Sequence, residues 1–302
     1  MRVLTAVLTT LLLAGACAQY QTGELKVPDL PGLRFVQVGD WRIRVDEVGA
    51  GEPVLLVHGY SSTLEEWRPA LPSLCRDRRC ILVDLPGFGL SDKREGDYSP
   101  ETMARHLFRV LDALGVPSAH VVGHSWGCSV ALAMALEAPA RVRSLTLTDA
   151  WVYYDQIPTF MLWARVPGVG EALYTAFFDQ QPDMRYEEIF HDPAAHVREE
   201  DVDLMQHFLK SPGAIRAALQ AARDQRFERL EPRYPEVRHP TLLVWCEEDR
   251  VALPHYARRL AGDLPDARIE WLSGCGHVPQ VELPEQWSRR VREFLDAVGG
   301  AR

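Results

Sequence analysis

Short apolar runs of strand length alternate with amphipathic stretches of helix length along most of this chain, and that alternation leaves few folds open. Strand-like runs fall at residues 54–57, 81–83, 120–122, 144–147, 241–244 and 267–272. Helical stretches fall between or after them at 64–75, 101–114, 126–137, 255–262 and 285–298. Runs that are apolar throughout, with no polar alternation, belong to strands covered on both faces. The pattern predicts an α/β fold, a mostly parallel sheet with helices on both faces. A leading hairpin is expected over 33–48, where Phe35, Val36 and Val38 precede a Gly39-Asp40 turn and Trp41, Ile43 and Val45 follow it in alternation. Between 151 and 233 the alternation stops and only helical segments remain, so residues 25–150 and 234–302 read as one core and 151–233 as an inserted helical cap.

The first eighteen residues read as a targeting segment outside the fold. Met1-Arg2 is a short positive start, residues 3–13 an apolar run too short to span a bilayer, and Ala14-Gly15-Ala16-Cys17-Ala18 a small-residue exit. Export is therefore expected, to a periplasmic, extracellular or membrane-anchored place. Cleavage after Ala18 and lipid attachment at Cys17 both fit, the second because residues 13–17 resemble a bacterial lipobox with Ala14 in place of the usual Leu. A net charge of -9 argues against a phosphate-rich partner such as nucleic acid. Export permits disulfides. Cys75 with Cys80 and Cys246 with Cys275 are the pairs that could bridge, although packed thiols are the preferred reading of each, and no Cys or His spacing matches a zinc site.

The chemistry concentrates after the run at 120–122. Gly123-His124-Ser125-Trp126-Gly127 follows it and the helix-forming stretch 130–136 comes next, so a G-x-S-x-G turn stands between a strand and a helix. The glycines let a strained elbow form, which exposes the Ser125 hydroxyl at the carboxyl end of the sheet and the amino end of a helix. A serine hydroxyl is a weak nucleophile and needs a base and a group to orient that base. His277 lies in Gly274-Cys275-Gly276-His277-Val278-Pro279 after the last strand, and Asp249 lies in Cys246-Glu247-Glu248-Asp249 after the strand before it. Glu247, Glu248 and Asp149 are rival acids. Asp249 is favoured because Arg250-Val251-Ala252-Leu253-Pro254 returns the chain to a helix just beyond it. His58 and His124, also near strand ends, read as packing or positioning residues. Two oxyanion donors are required, and the backbone N–H groups of Trp126 and Tyr60, the latter in His58-Gly59-Tyr60-Ser61-Ser62, are the expected pair.

Taken in order, Val57-His58-Gly59-Tyr60, Asp84-Leu85-Pro86-Gly87-Phe88-Gly89-Leu90-Ser91-Asp92, the Ser125 pentapeptide, Glu247-Glu248-Asp249 and Gly276-His277-Val278-Pro279-Gln280-Val281-Glu282 resemble the landmarks of the α/β-hydrolase fold superfamily. The closest likeness is to its single-cap esterases, carbon–carbon bond hydrolases and perhydrolase-like members. That resemblance implies an eight-stranded core, hydrolysis without a cofactor, and a supporting part for residues 84–91. Ser125 stands where the dehalogenases and epoxide hydrolases of this fold carry Asp, so their chemistries are not expected. The loop after His58-Gly59 lacks the further glycines of many carbon–carbon hydrolases, which favours a simple esterase acting through an acyl-enzyme. Trp151, Tyr153, Tyr154, Phe160, Met161, Trp163, Leu173, Tyr174, Phe177 and Phe178 crowd the start of the cap. Most are expected in its core, with the rest lining an apolar cleft for a small or medium hydrophobic ester. A catalytically silent binding protein of the same fold is the rival from another class.

Overall fold

A computed structural model describes residues 33–177 and 182–299. The leader and the Cys17 expectation fall outside the described residues. Eight strands form a single sheet: β1 (Arg34–Val38), β2 (Trp41–Val48), β3 (Glu52–Val57), β4 (Arg78–Val83), β5 (Ala119–His124), β6 (Val142–Thr148), β7 (Thr241–Cys246) and β8 (Ala267–Leu272). Their order is β1-β2-β4-β3-β5-β6-β7-β8, with β2 antiparallel to both neighbours and all pairs from β4 to β8 parallel. The eight-stranded, mostly parallel sheet expected from the sequence is present.

Alternate residues of the central strands serve different faces. Leu55, Val57, Ile81, Val83 and Val121 join one apolar cluster with α1 (Pro100–Ala113) and α2 (Trp126–Glu137). Val54, Leu56, Leu82, Val122, Leu242 and Val244 join the other, with Trp67 and the helix that closes the chain. Coverage of both faces is why these strands read as unbroken apolar runs.

One expected helix is not continuous. Residues 64–75 form a 3₁₀ turn, Leu64–Trp67, and a single helical turn, Leu71–Leu74. Pro69 and Pro72 lack the N–H groups an unbroken helix over this stretch would use. The preferred reading of the cysteines is also corrected, since Cys75–Cys80 and Cys246–Cys275 are both disulfides and Cys128 is a buried free thiol.

Between β6 and β7 the described residues form no strand. They form α3 (Thr159–Ala164), α4 (Val169–Phe177), α5 (Pro182–Ile189), α6 (Glu199–Leu209) and α7 (Ala214–Asp224), with shorter turns between. The core resumes with α8 (His255–Asp263) after β7 and ends with α9 (Pro284–Gly299). The chain leaves β3 for β4 on one side and then crosses from β4 through α1 to β5 on the other side of β3. The crevice beyond the carboxyl ends of β3 and β5 is thus a switch point, where open α/β sheets place their ligands.

Candidate active site

Ser125 occupies that crevice between the end of β5 and the start of α2, with φ 51° and ψ −121°. A non-glycine residue there carries strain of about 1–3 kcal/mol, which persists only where the surroundings over-determine it. They do so here. The Ser125 N–H donates to Thr148 O at 2.9 Å, and its carbonyl accepts from Cys128 N at 3.0 Å and Trp151 N at 3.1 Å. Both flanking glycines are required by close approach. A Cβ on Gly123 would stand 2.7 Å from Gly127 O, and one on Gly127 would stand 2.3 Å from Val57 O. The turn is thereby pressed against the end of β3.

The loop that leaves β3 lies against the serine, since a Cβ on Gly59 would fall 3.1 Å from Ser125 Cβ. His58 holds this loop. Its Nε2 accepts from Leu85 N at 2.9 Å, so its Nδ1 bears the proton and donates to Gly59 O at 2.7 Å. The N–H of Trp126 is the first of α2 and has no partner within its helix. Tyr60 stands on the 58–62 loop, and its hydroxyl donates to Ala218 O at 2.8 Å and lies 2.9 Å from the Tyr174 hydroxyl, which ties α7 and α4 to the loop.

The expected acid and base meet. His277 Nδ1 donates to Asp249 Oδ2 at 2.9 Å, and Asp249 Oδ1 accepts from Val251 N at 2.7 Å and Ala252 N at 3.0 Å. Both residues are buried. With Nδ1 donating, the neutral imidazole keeps Nε2 as an acceptor. The Cys246–Cys275 bridge joins the two loops that carry this pair. Of the rival acids, Glu247 and Glu248 face outward to Ser273 and Gly274.

Asp149, the third rival, lies beside Asp249 instead of beside His277. It is fully buried at φ 43°, its N–H donates to Val244 O at 3.0 Å, and its Oδ1 accepts from Cys246 N at 3.0 Å. No N–H or hydroxyl reaches its Oδ2. Burial first, and then the Asp249 charge, hold its carboxyl well above the usual carboxylate range, so it is a neutral acid bonded to the Asp249 carboxylate.

Two further carboxylates take part, Glu282, which ends the landmark around His277, and Glu66, which carries no sequence signal of its own. Glu282 accepts from Gly276 N at 2.6 Å and from His191 N at 2.8 Å, and His277 N–H donates to Ile189 O at 2.6 Å. The base loop is thus tied to the chain just after α5. Glu66 lies 3.0 Å from His124 Nδ1, across a separation of 58 residues. Of the large apolar residues at the start of the helical segment, Trp151, Tyr153, Met161 and Tyr174 are buried, Leu173 is half-buried, and Tyr154, Phe160 and Trp163 are exposed. Of the eight whose burial is described, four are buried, which is half where most were expected. Phe178 lies outside the described residues.

Residues 52–185 match the family model of the alpha/beta hydrolase fold. The chain is 31% identical to a protein named as a candidate carbamate hydrolase, RutD, of Azorhizobium caulinodans, covering 87% of this chain and 98% of that one. It is 30% identical to a 2-hydroxy-6-oxo-2,4-heptadienoate hydrolase of Pseudomonas putida, covering 87% of this chain and 96% of that one. Among solved structures, a thermophilic esterase from Thermogutta terrifontis superposes with a TM-score of 0.72 at 24% identity, over 88% of this chain and 98% of that one, which shows the shared fold. Sheet order, strand-to-helix elbow and these likenesses agree, and the chain belongs to the α/β-hydrolase fold family as one of its hydrolases.

Proposed function

We propose that the protein is a serine hydrolase that works through an acyl-enzyme, and that its substrates are small or medium hydrophobic carboxylic esters. The observation that carries this reading is the oriented imidazole: His277 is fixed by Asp249 at 2.9 Å, on a loop bridged to the acid's own loop. In this mechanism Ser125 attacks the ester carbonyl while His277 Nε2 takes its proton. Asp249 holds the tautomer and stabilises the imidazolium. The backbone N–H groups of Trp126 and Tyr60 stabilise the oxyanion. His277 then protonates the leaving alcohol, and water, activated by the same ring, releases the acid. Asp149 stays neutral behind Asp249 and takes no proton from the substrate. The helical segment 151–233 serves as a lid over the carboxyl edge of the sheet, with Tyr174 and Ala218 reaching the 58–62 loop.

A carbon–carbon bond hydrolase is the second reading, favoured by the likeness to a heptadienoate hydrolase. Turnover of aryl esters of graded chain length against vinylogous diketones separates the two. Ser125→Ala is expected to lower ester turnover by about 10⁴- to 10⁶-fold with the melting temperature preserved. Retained activity in that variant overturns the assignment. Export, read from the leader, joins the proposal and draws support from the two bridges, which suit an oxidising compartment. Intact mass of the exported protein tests it and reports whether Cys17 carries lipid.

A further inference from the structure

Behind His277 lies a second buried pair that the reaction does not consume. His124 is 3% exposed, and each of its ring nitrogens faces an oxygen. Nε2 is 2.7 Å from the carbonyl oxygen of His277, and Nδ1 is 3.0 Å from Glu66 Oε1. A carbonyl can only accept, so Nε2 bears a hydrogen. Glu66 also accepts from the Ser62 hydroxyl at 2.5 Å through its other oxygen, which suits a carboxylate that is ionised. Both nitrogens of His124 are then donors and the ring is cationic. The His124 and His277 rings lie 4.9 Å apart, centre to centre, and Trp67 meets the His124 ring edge-on.

We propose that His124, paired with Glu66, is a positioning residue for His277: it holds the main chain of the base loop and sets a fixed positive charge beside the reacting imidazole. This rests on the reading of Ser125, Asp249 and His277 as the reacting set. Burial works against charge on His124, but the Glu66 charge and hydrogen bond, with the His277 carbonyl, outweigh it and raise its pKa. Burial likewise works against charge on Glu66, and the His124 charge and hydrogen bond outweigh it and lower its pKa. A positive ring at this distance opposes a second positive charge on His277, and Glu66, on the far side, offsets it only in part. The field of that ring therefore bears directly on the proton transfer at His277. The other titratable groups near the pair are His58, whose Nε2 accepts from Leu85 N, and Asp249, which acts on His124. Asp149 stands behind Asp249, and Glu282 holds Gly276. All four remain in the variants below.

The test is the second-order rate at which a fluorophosphonate inactivates the full-length protein, measured from about pH 4 to pH 9, in the wild type, Glu66→Gln and His124→Gln. Each substitution removes the positive charge beside His277, so the acidic limb should move to higher pH by roughly half to one unit in both variants. Ser62→Ala, which leaves the pair in place but frees one Glu66 oxygen, should move it less. In the wild type, the ring ¹⁵N–¹H spectrum near neutral pH should show His124 protonated on both nitrogens, and Glu66→Gln should lose one of those protons. Variant limbs that superpose on that of the wild type, or a singly protonated His124 in the wild type, overturn the proposal. A wild type that the probe does not label at all overturns the reading of Ser125 as well, which distinguishes the two failures.

Discussion

Opening the Cys246–Cys275 bridge should cost both stability and activity, and the Cys75–Cys80 bridge supplies an internal control. The first closes a loop with a sequence separation of 29 and the second one of 5. Chain entropy alone assigns about 3.6 kcal/mol to the longer loop and about 2.2 kcal/mol to the shorter. With an unfolding entropy near 2 cal/mol/K per residue, these become falls in melting temperature of roughly 6 °C and roughly 3–4 °C for a chain of this size. The functional consequences should differ more sharply. Cys246 lies three residues before Asp249 and Cys275 two before His277, so a Cys246→Ala/Cys275→Ala variant loosens the acid and base loops against each other. Cys75 ends the helical turn Leu71–Leu74 and Cys80 lies within β4, and neither is on the loops that carry Asp249 and His277. Calorimetry, with ester hydrolysis well below each melting temperature, makes the comparison. Equal melting shifts would refute the loop-length argument. Full activity in the Cys246→Ala/Cys275→Ala variant would refute the claim that this bridge holds the reacting pair in register.

Two substitutions probe buried ionisable groups through pH. Because the Asp149 carboxyl sits well above its ordinary range in the folded chain, the folded state holds a proton that the unfolded state gives up, and its contribution to stability falls as pH rises above about 4. Asp149→Asn keeps an acceptor for Cys246 and a donor for Asp249 without that liability, so its advantage in urea denaturation should grow from acidic to neutral pH; a constant gap contradicts the neutral-acid assignment. Lys93 is depressed from 10.5 to about 8, chiefly by burial, while its Nζ donates to Gly89 O and Ser91 O. The unfolded state binds the extra proton between those values, so the wild type should gain stability relative to Lys93→Met as pH rises from 8 to 10.5, by about 3 kcal/mol in total. Parallel stability curves for the two proteins would count against it.

The sequence made legible the features whose physical cause is local. Gly123 and Gly127 mark the elbow because a side chain at either would strike backbone, and the strand before and helix after it read from periodicity alone. Asp249 and His277 are legible as a candidate pair because each follows a strand at the same edge of the sheet, and a hydrogen bond joins them. What could not be read depends on partners brought together by strand order. Glu66 meets His124 across 58 residues, and Glu282 reaches His191 across 91. Asp149 was readable as an acid after a strand, but its neutral state follows only from its burial against Asp249. The cysteine pairs were visible as candidates, and only the adjacency of β7 and β8, and the turn leading into β4, brings their sulfur atoms within bonding distance. Pro69 and Pro72 were in view throughout, yet the helical pattern at 64–75 masked the break they cause.

The central claim is that Ser125 is an activated nucleophile, and mass spectrometry of the protein after brief exposure to a fluorophosphonate tests it most directly. The account predicts one adduct per chain, located on Ser125 and absent from Ser125→Ala and His277→Ala. No adduct on the folded protein, or an adduct on another serine that persists in Ser125→Ala, would contradict it.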